Sequence, residues 1–200
     1  MGLSKEATGM IAKTRHYIRD SKCQLLSIYH SIFASHMTYG CQVWGLCQNK
    51  YTKKIQTLQN RAVRLISFAY ESPVHIHTVD LYKQQKLLKF SDLVTLKNLL
   101  FVHDYLNKSV PDCFDGYFIL EKDLYHQNTR NAVNSKLFKP YRDSTKYGLK
   151  SFKLTTISSW NELCDAHPNC NFPTLSKSKF KNLVINHFLE SYTHNSLEFV

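Results

Sequence analysis

The segment from Lys86 to Asn107 constrains the fold most. Leu87, Leu88, Phe90, Leu93, Val94, Leu96, Leu99, Leu100, Phe101, Val102, Tyr105 and Leu106 make it apolar around more than half of its circumference if it is helical. A helix with so wide an apolar surface must be covered on several sides, which places it at the centre of a bundle. Pro111 ends it, because proline cannot donate a helical hydrogen bond and clashes with the turn before it. Amphipathic partners lie upstream. From Ser21 to His36, Leu25, Ile28, Tyr29, Ile32, Phe33 and His36 recur at three- and four-residue spacing, with Asp20 or Ser21 placed to cap the start. Thr38-Tyr39-Gly40 and Val43-Trp44-Gly45 then frame a small aromatic cluster between glycines. A second helix is expected from Tyr51 to Ala69, Ser72-Pro73 interrupts the pattern, and a short helix follows around Val79 to Tyr82.

Residues 112–172 lose the helical period, and Tyr117 to Leu120 and Leu149 to Thr155 read as strand-like pieces among Asn, Ser, Asp and Gly. After Pro173-Thr174, the spacing of Phe180, Leu183, Val184, His187, Phe188 and Ser191 predicts a closing amphipathic helix. The expected fold is therefore mostly α: a helical bundle over residues 1–110, then residues 111–200 as a mixed region with short strands and a closing helix. Neither an internal repeat nor a low-complexity segment interrupts this plan.

Charge narrows the partner. Lys and Arg number 26 against 15 Asp and Glu, a net charge of +11, and residues 1–100 carry +9 of it. Such an excess favours a polyanion, and the first half is where its footprint should lie. The six cysteines follow no C-x-x-C spacing and no signal peptide precedes them, so they read as reduced thiols of an intracellular protein, nuclear or cytoplasmic. No apolar run approaches the roughly 18 residues of a membrane-spanning helix, so no membrane partner is expected.

The sequence offers no catalytic set. Two-metal nucleotidyl transfer needs closely paired carboxylates, and no two acidic residues are adjacent here. Asp112 and Asp115 come nearest, within Pro-Asp-Cys-Phe-Asp, a turn with a solvated acid at each end. Phosphate-binding glycine loops, zinc-protease and nucleophile-elbow motifs are absent, so no enzyme activity and no cofactor are expected. Cys164, His167 and Cys170, joined by Cys113 or His126, could offer soft metal ligands, but the spacing fits no standard zinc pattern. Buried thiols and a capped imidazole are the simpler account, so no metal site is expected.

Two features point to nucleic acid. On the Tyr51–Ala69 helix, Ile55, Leu58, Ala62, Leu65 and Ile66 share one face, while Lys53, Lys54, Arg61 and Arg64 share the other with Thr57 and Asn60. Ammonium and guanidinium groups displace counterions from phosphates, and the hydroxyl and amide can donate to phosphate oxygens. A purely solvated face is the alternative. Between Lys136 and Lys153, four aromatics alternate with six basic residues and one acid. Bases stack on rings while cations follow the backbone, so Lys139, Tyr141, Arg142, Lys146 and Tyr147 are the contact residues expected there. A hairpin with Phe138 and Phe152 packed inward is the alternative.

Several short blocks carry a family resemblance through their order. Leu25 to Phe33, Thr38-Tyr39-Gly40, Val43-Trp44-Gly45 and Leu58-Gln59-Asn60-Arg61-Ala62-Val63-Arg64-Leu65-Ile66 come first. His126-Gln-Asn128-Thr129-Arg130, Lys146-Tyr147-Gly148, Ser158-Ser159-Trp160-Asn161-Glu162-Leu163 and Phe180-Lys181 follow. The set resembles the region after the palm in jockey-like, long interspersed non-LTR retrotransposon reverse transcriptases. The resemblance implies a helical thumb that grips template and primer, followed by a carboxy-terminal extension, with endonuclease, fingers and palm upstream in a full-length element protein. Two departures stand out: the palm aspartates are missing, and the family's Leu-Pro after Trp-Asn is Leu163-Cys164 here. The expected function is non-catalytic binding of RNA or DNA template/primer. The competing reading is a decayed fragment or protein-interaction module, self-associating through apolar surface left bare on the central helix.

Overall fold

The computed structural model of the chain describes residues 2–18, 22–47, 49–69, 76–124, 136–140 and 151–192. It is mostly α, as the periodicity predicts. Among the described residues no strand forms, and extended pairing there is limited to an isolated antiparallel bridge between Leu120 and Leu137. The chain divides into two compact units, Met1–Val94 with Ile185–Val200, and Thr95–Val184.

In the first unit, α1 (Gly2–Tyr17) packs on the Asn49–Ile66 helix and on the Tyr29–Ala34 segment, burying Ala7 and Ile11. The helix expected from Ser21 to His36 forms as α2 (Lys22–Ile28), a π-helical stretch (Tyr29–Ala34) and α3 (Ser35–Thr38). Ser27, Ser31 and Ser35 each donate to the carbonyl four residues back, at 3.0, 2.8 and 2.6 Å. Hydroxyls that compete for helix carbonyls in this way bend helices, and here they flank and enter the wider π turn. Gly40, left-handed at φ 59°, separates α3 from α4 (Cys41–Trp44). The next helix, α5, runs Asn49–Ile66, two residues earlier at its start than periodicity placed it, and α6 is Thr78–Gln84.

The long apolar helix is shorter than expected. Lys86 is left-handed at φ 51°, Leu87 and Leu88 are buried in the connection after the turn, and α7 spans Phe90–Leu106. Among the described residues, Lys86 is one of three left-handed residues other than glycine. Phe68 (φ 52°), Lys86 and Lys108 (φ 53°) follow the ends of α5, α6 and α7. At each, the amide of the next residue reaches five residues back: Ala69 to the Arg64 carbonyl at 3.1 Å, and Leu87 to the Tyr82 carbonyl and Ser109 to the Asp104 carbonyl, both at 2.9 Å. These are Schellman closures built without the usual glycine.

The second unit corrects the strand expectation. Residues 149–150 lie outside the described residues, but Phe152, Lys153, Leu154 and Thr155 open a helix, α9 (Phe152–Ala166), which follows the short α8 (Glu121–Leu124). Ser151 caps α9, its hydroxyl accepting from the Leu154 N–H at 3.4 Å. Of the expected Tyr117 to Leu120 piece, Leu120 alone pairs in an extended bridge. The facing Leu137 finds its other partner in a side chain: its N–H donates to Asn161 Oδ1 and its carbonyl accepts from Asn161 Nδ2, both at 2.9 Å. An amide side chain thus supplies what a neighbouring strand would. The core is aromatic. Phe101 meets Phe114, Phe118 and Phe152 edge-on, and the fully buried Trp160 packs on Phe172 and Phe180, with Phe180 on α10 (Lys177–Ser191). No helix among the described residues is long and apolar enough to cross a membrane.

Candidate nucleic-acid interface

Helix α5 contains no acidic residue, and its two sides are sharply sorted. Ala62, Val63 and Ile66 are fully buried, and so is Gln59, whose Nε2 donates to Tyr29 Oη at 3.0 Å and to the Leu88 carbonyl at 2.8 Å. One turn earlier, Gln56 Nε2 donates to Asn60 Oδ1 at 2.8 Å and to Tyr82 Oη at 2.9 Å, while its Oε1 accepts from the Phe90 N–H at 2.9 Å. Tyr82 Oη in turn donates to Asn60 Oδ1 at 2.9 Å. This network fixes the rotation of α5 about its axis, because turning the helix would strand buried polar groups. Burial pushes the Tyr29 phenol up to about 12, against a smaller lowering by Gln59, and pushes Tyr82 well above its ordinary value. Both phenols remain neutral in ordinary buffers.

The opposite side presents Lys50, Lys53, Lys54, Thr57 and Arg61, all exposed, within about 100° of arc at about 100° per residue. Among the described residues no ion pair engages any of the four cations. Two of the residues expected on this face are occupied elsewhere. Arg64 is half-buried, its Nε and Nη2 donating to Thr78 Oγ1 at 3.3 and 3.0 Å, and Asn60 belongs to the Gln56 network. Lys50 takes their place. Sequence reasoning missed it by starting the helix at Tyr51, although Lys50 stands three and four residues before Lys53 and Lys54.

In the second expected cluster, Lys139 is exposed with its ammonium 3.1 Å from Ser158 Oγ. Tyr141, Arg142, Lys146 and Tyr147 lie outside the described residues, as do His126 to Arg130. Phe138 and Phe152 are half-buried, the latter 5.5 Å from Phe101. Asp112 and Asp115 are exposed at the two ends of a 3-10 turn, the Asp115 amide donating to the Asp112 carbonyl at 2.9 Å. Cys164 is buried, which pushes its thiol up to about 12, so it is a poor source of thiolate. No group of three His, Cys, Asp or Glu among the described residues is placed to hold a metal ion.

A further signal lies in what the chain omits. From residue 21 to residue 70 there is no Asp or Glu, while Lys22, Lys50, Lys53, Lys54, Arg61 and Arg64 all fall in that stretch. Nothing along it carries the negative charge that would repel a phosphate.

Over 42 residues the chain is 48% identical to a curated protein described as a probable RNA-directed DNA polymerase from transposon X-element of Drosophila melanogaster. The matched stretch is 21% of this chain and 5% of that polymerase, so the similarity spans about a twentieth of the relative's length. No protein-family model matches, and no solved structure matches. The match relates part of the chain to a non-LTR retrotransposon reverse transcriptase, in agreement with the resemblance carried by the ordered blocks.

Proposed function

We propose, from this kinship with a transposon-encoded RNA-directed DNA polymerase, that the chain is a non-catalytic nucleic-acid-binding part of such an enzyme, holding template and primer through the open face of α5. The observation that carries this reading is the sorting of α5, which turns Lys50, Lys53, Lys54 and Arg61 together into solvent while a buried amide network fixes the helix behind them. Four cations on one face can neutralise phosphates and release their counterions, a contact that holds any sequence alike. Lys139, with the neighbouring Tyr141, Arg142, Lys146 and Tyr147, would add cations and stacking rings for an unpaired strand. RNA or DNA would satisfy this chemistry, in the nucleus or the cytoplasm.

The competing reading needs bare apolar surface on the central helix. None of the apolar side chains of α7 is exposed, and this favours the binding role. The test separates chemistry from grip. Purified chain is incubated with primer-template, magnesium and nucleotides, and extension and retention are scored independently. Retention without extension is the expected outcome, because nothing in the sequence supplies the paired carboxylates that two-metal transfer requires. Magnesium-dependent extension that copurifies with the chain would refute the non-catalytic reading, and loss of retention would refute the binding one.

A further inference from the structure

Tyr39 and Val43 stand almost wholly in solvent, 85% and 88% exposed, four residues apart around the left-handed Gly40. Isolated apolar groups on a surface are ordinary, but an aromatic and an aliphatic side chain displayed together this fully invite a covering partner. Their backbone is firmly held. The Trp44 indole donates to the Tyr39 carbonyl at 2.8 Å, the Trp44 ring stacks on Phe90 at 5.3 Å and 15°, and the Phe90 amide donates to Gln56 of α5 at 2.9 Å. The pair is thus fastened, through an indole and a phenyl ring, to the helix that carries Lys50, Lys53, Lys54 and Arg61.

Trp44, whose indole holds Tyr39, is also close to those cations along the chain. The Cys47 N–H donates to the Trp44 carbonyl at 3.1 Å and closes a turn, across which α-carbons lie within about 7 Å. Three more residues at about 3.8 Å each lead to Lys50, so the α-carbons of Trp44 and Lys50 are at most about 18 Å apart. At about 3.4 Å per nucleotide of a stacked strand, that is about five nucleotides or fewer. The pair and the cations share the acid-free stretch from residue 21 to residue 70, so charge along the approach is complementary to phosphate throughout.

We propose that Tyr39, flanked by Val43, is a stacking platform for an unpaired nucleobase at the end of a duplex held by α5. This rests on the phosphate-binding reading above and adds a substrate class to it: a duplex with a single-stranded overhang, preferred over a blunt one. The ring supplies a face on which any base can stack, and its hydroxyl is not needed.

The test uses the full chain and one duplex, blunt or with a short single-stranded overhang, at a single moderate salt concentration. The wild-type chain is expected to bind the overhang form roughly tenfold more tightly, the size of one base–aromatic stack. Tyr39→Ala should erase that gain while leaving blunt-duplex affinity unchanged, and Tyr39→Phe should keep it. If Gln replacements of Lys50, Lys53, Lys54 and Arg61 leave both affinities intact while Tyr39→Ala still erases the gain, the platform stands and the phosphate-binding face fails. Equal wild-type affinity for the two duplexes, or a persistent gain in Tyr39→Ala, overturns the platform. So does light scattering in which Tyr39→Ala abolishes self-association while the overhang gain persists, an outcome that would give the pair to a second copy of the chain.

Discussion

Gly45 shows how tightly single residues are specified at the end of α4. Its backbone is ordinary right-handed helix, so conformational freedom is not the reason for glycine there. Space is the reason. A Cβ at this position would lie 2.6 Å from Val94 Cγ2 and would also press on the Cys41 carbonyl, and neither a packed branched methyl nor a backbone oxygen can move away cheaply. Gly45→Ala is therefore expected to cost roughly 1–3 kcal/mol, read from denaturant unfolding, and pairing it with Val94→Ala should cost less than the two singles summed. Strict additivity would mean that the two sites do not meet. The sequence made Gly45 visible as punctuation beside Trp44 but could not name Val94, which is far along the chain. Exposure of Lys53, Lys54 and Arg61 was legible because they share the polar side of a 3.6-residue period. Engagement of Arg64 by Thr78 was not, because a partner fourteen residues away across an interrupted segment leaves no periodic trace.

Among the elements, faces were legible and ends were not. The polar and apolar sides of α5 follow from a 3.6-residue period, and the structure keeps that division except at Asn60 and Arg64, which bond to Tyr82 and Thr78. Helix ends are usually marked by glycine, whereas α5, α6 and α7 close on Phe68, Lys86 and Lys108 in the left-handed region. That is why the apolar run from Lys86 looked like continuous helix. The start of α9 misled for a different reason: Ser151 to Thr155 mimics strand alternation, although Ile157, Trp160, Leu163 and Cys164 already carry the helical period. A left-handed lysine is less favourable than a left-handed glycine, so Lys108→Gly should raise stability by roughly 0.5–1 kcal/mol, seen as a higher unfolding midpoint. A lower midpoint would show that the Lys108 side chain contributes more than its backbone costs.

At the scale of the whole molecule, long-range contacts set the frame that sequence patterns cannot reveal. Tyr192 reaches back to the start of α7, its hydroxyl donating to Asp92 at 2.5 Å and accepting the Lys89 N–H at 2.9 Å, with the Lys89 ammonium 4.5 Å from the ring centre. Burial raises the Asp92 carboxyl above its ordinary value and lowers the Lys89 ammonium below its own. Charge distribution, by contrast, is written directly in the sequence: +9 of the net +11 lies in residues 1–100, and the acid-free stretch falls within it. Under the proposed function this charge is aimed at phosphate through α5. Its most direct test is the affinity of the chain for primer-template duplex across a range of salt, with and without Gln at Lys50, Lys53, Lys54 and Arg61. Four phosphate contacts predict a log–log slope of about −3 to −4 for the wild-type chain. The substituted chain should show a much shallower slope, with folding stability changed by less than about 1 kcal/mol because all four side chains face solvent. A flat wild-type slope, or one that the four substitutions leave unchanged, would contradict the claim.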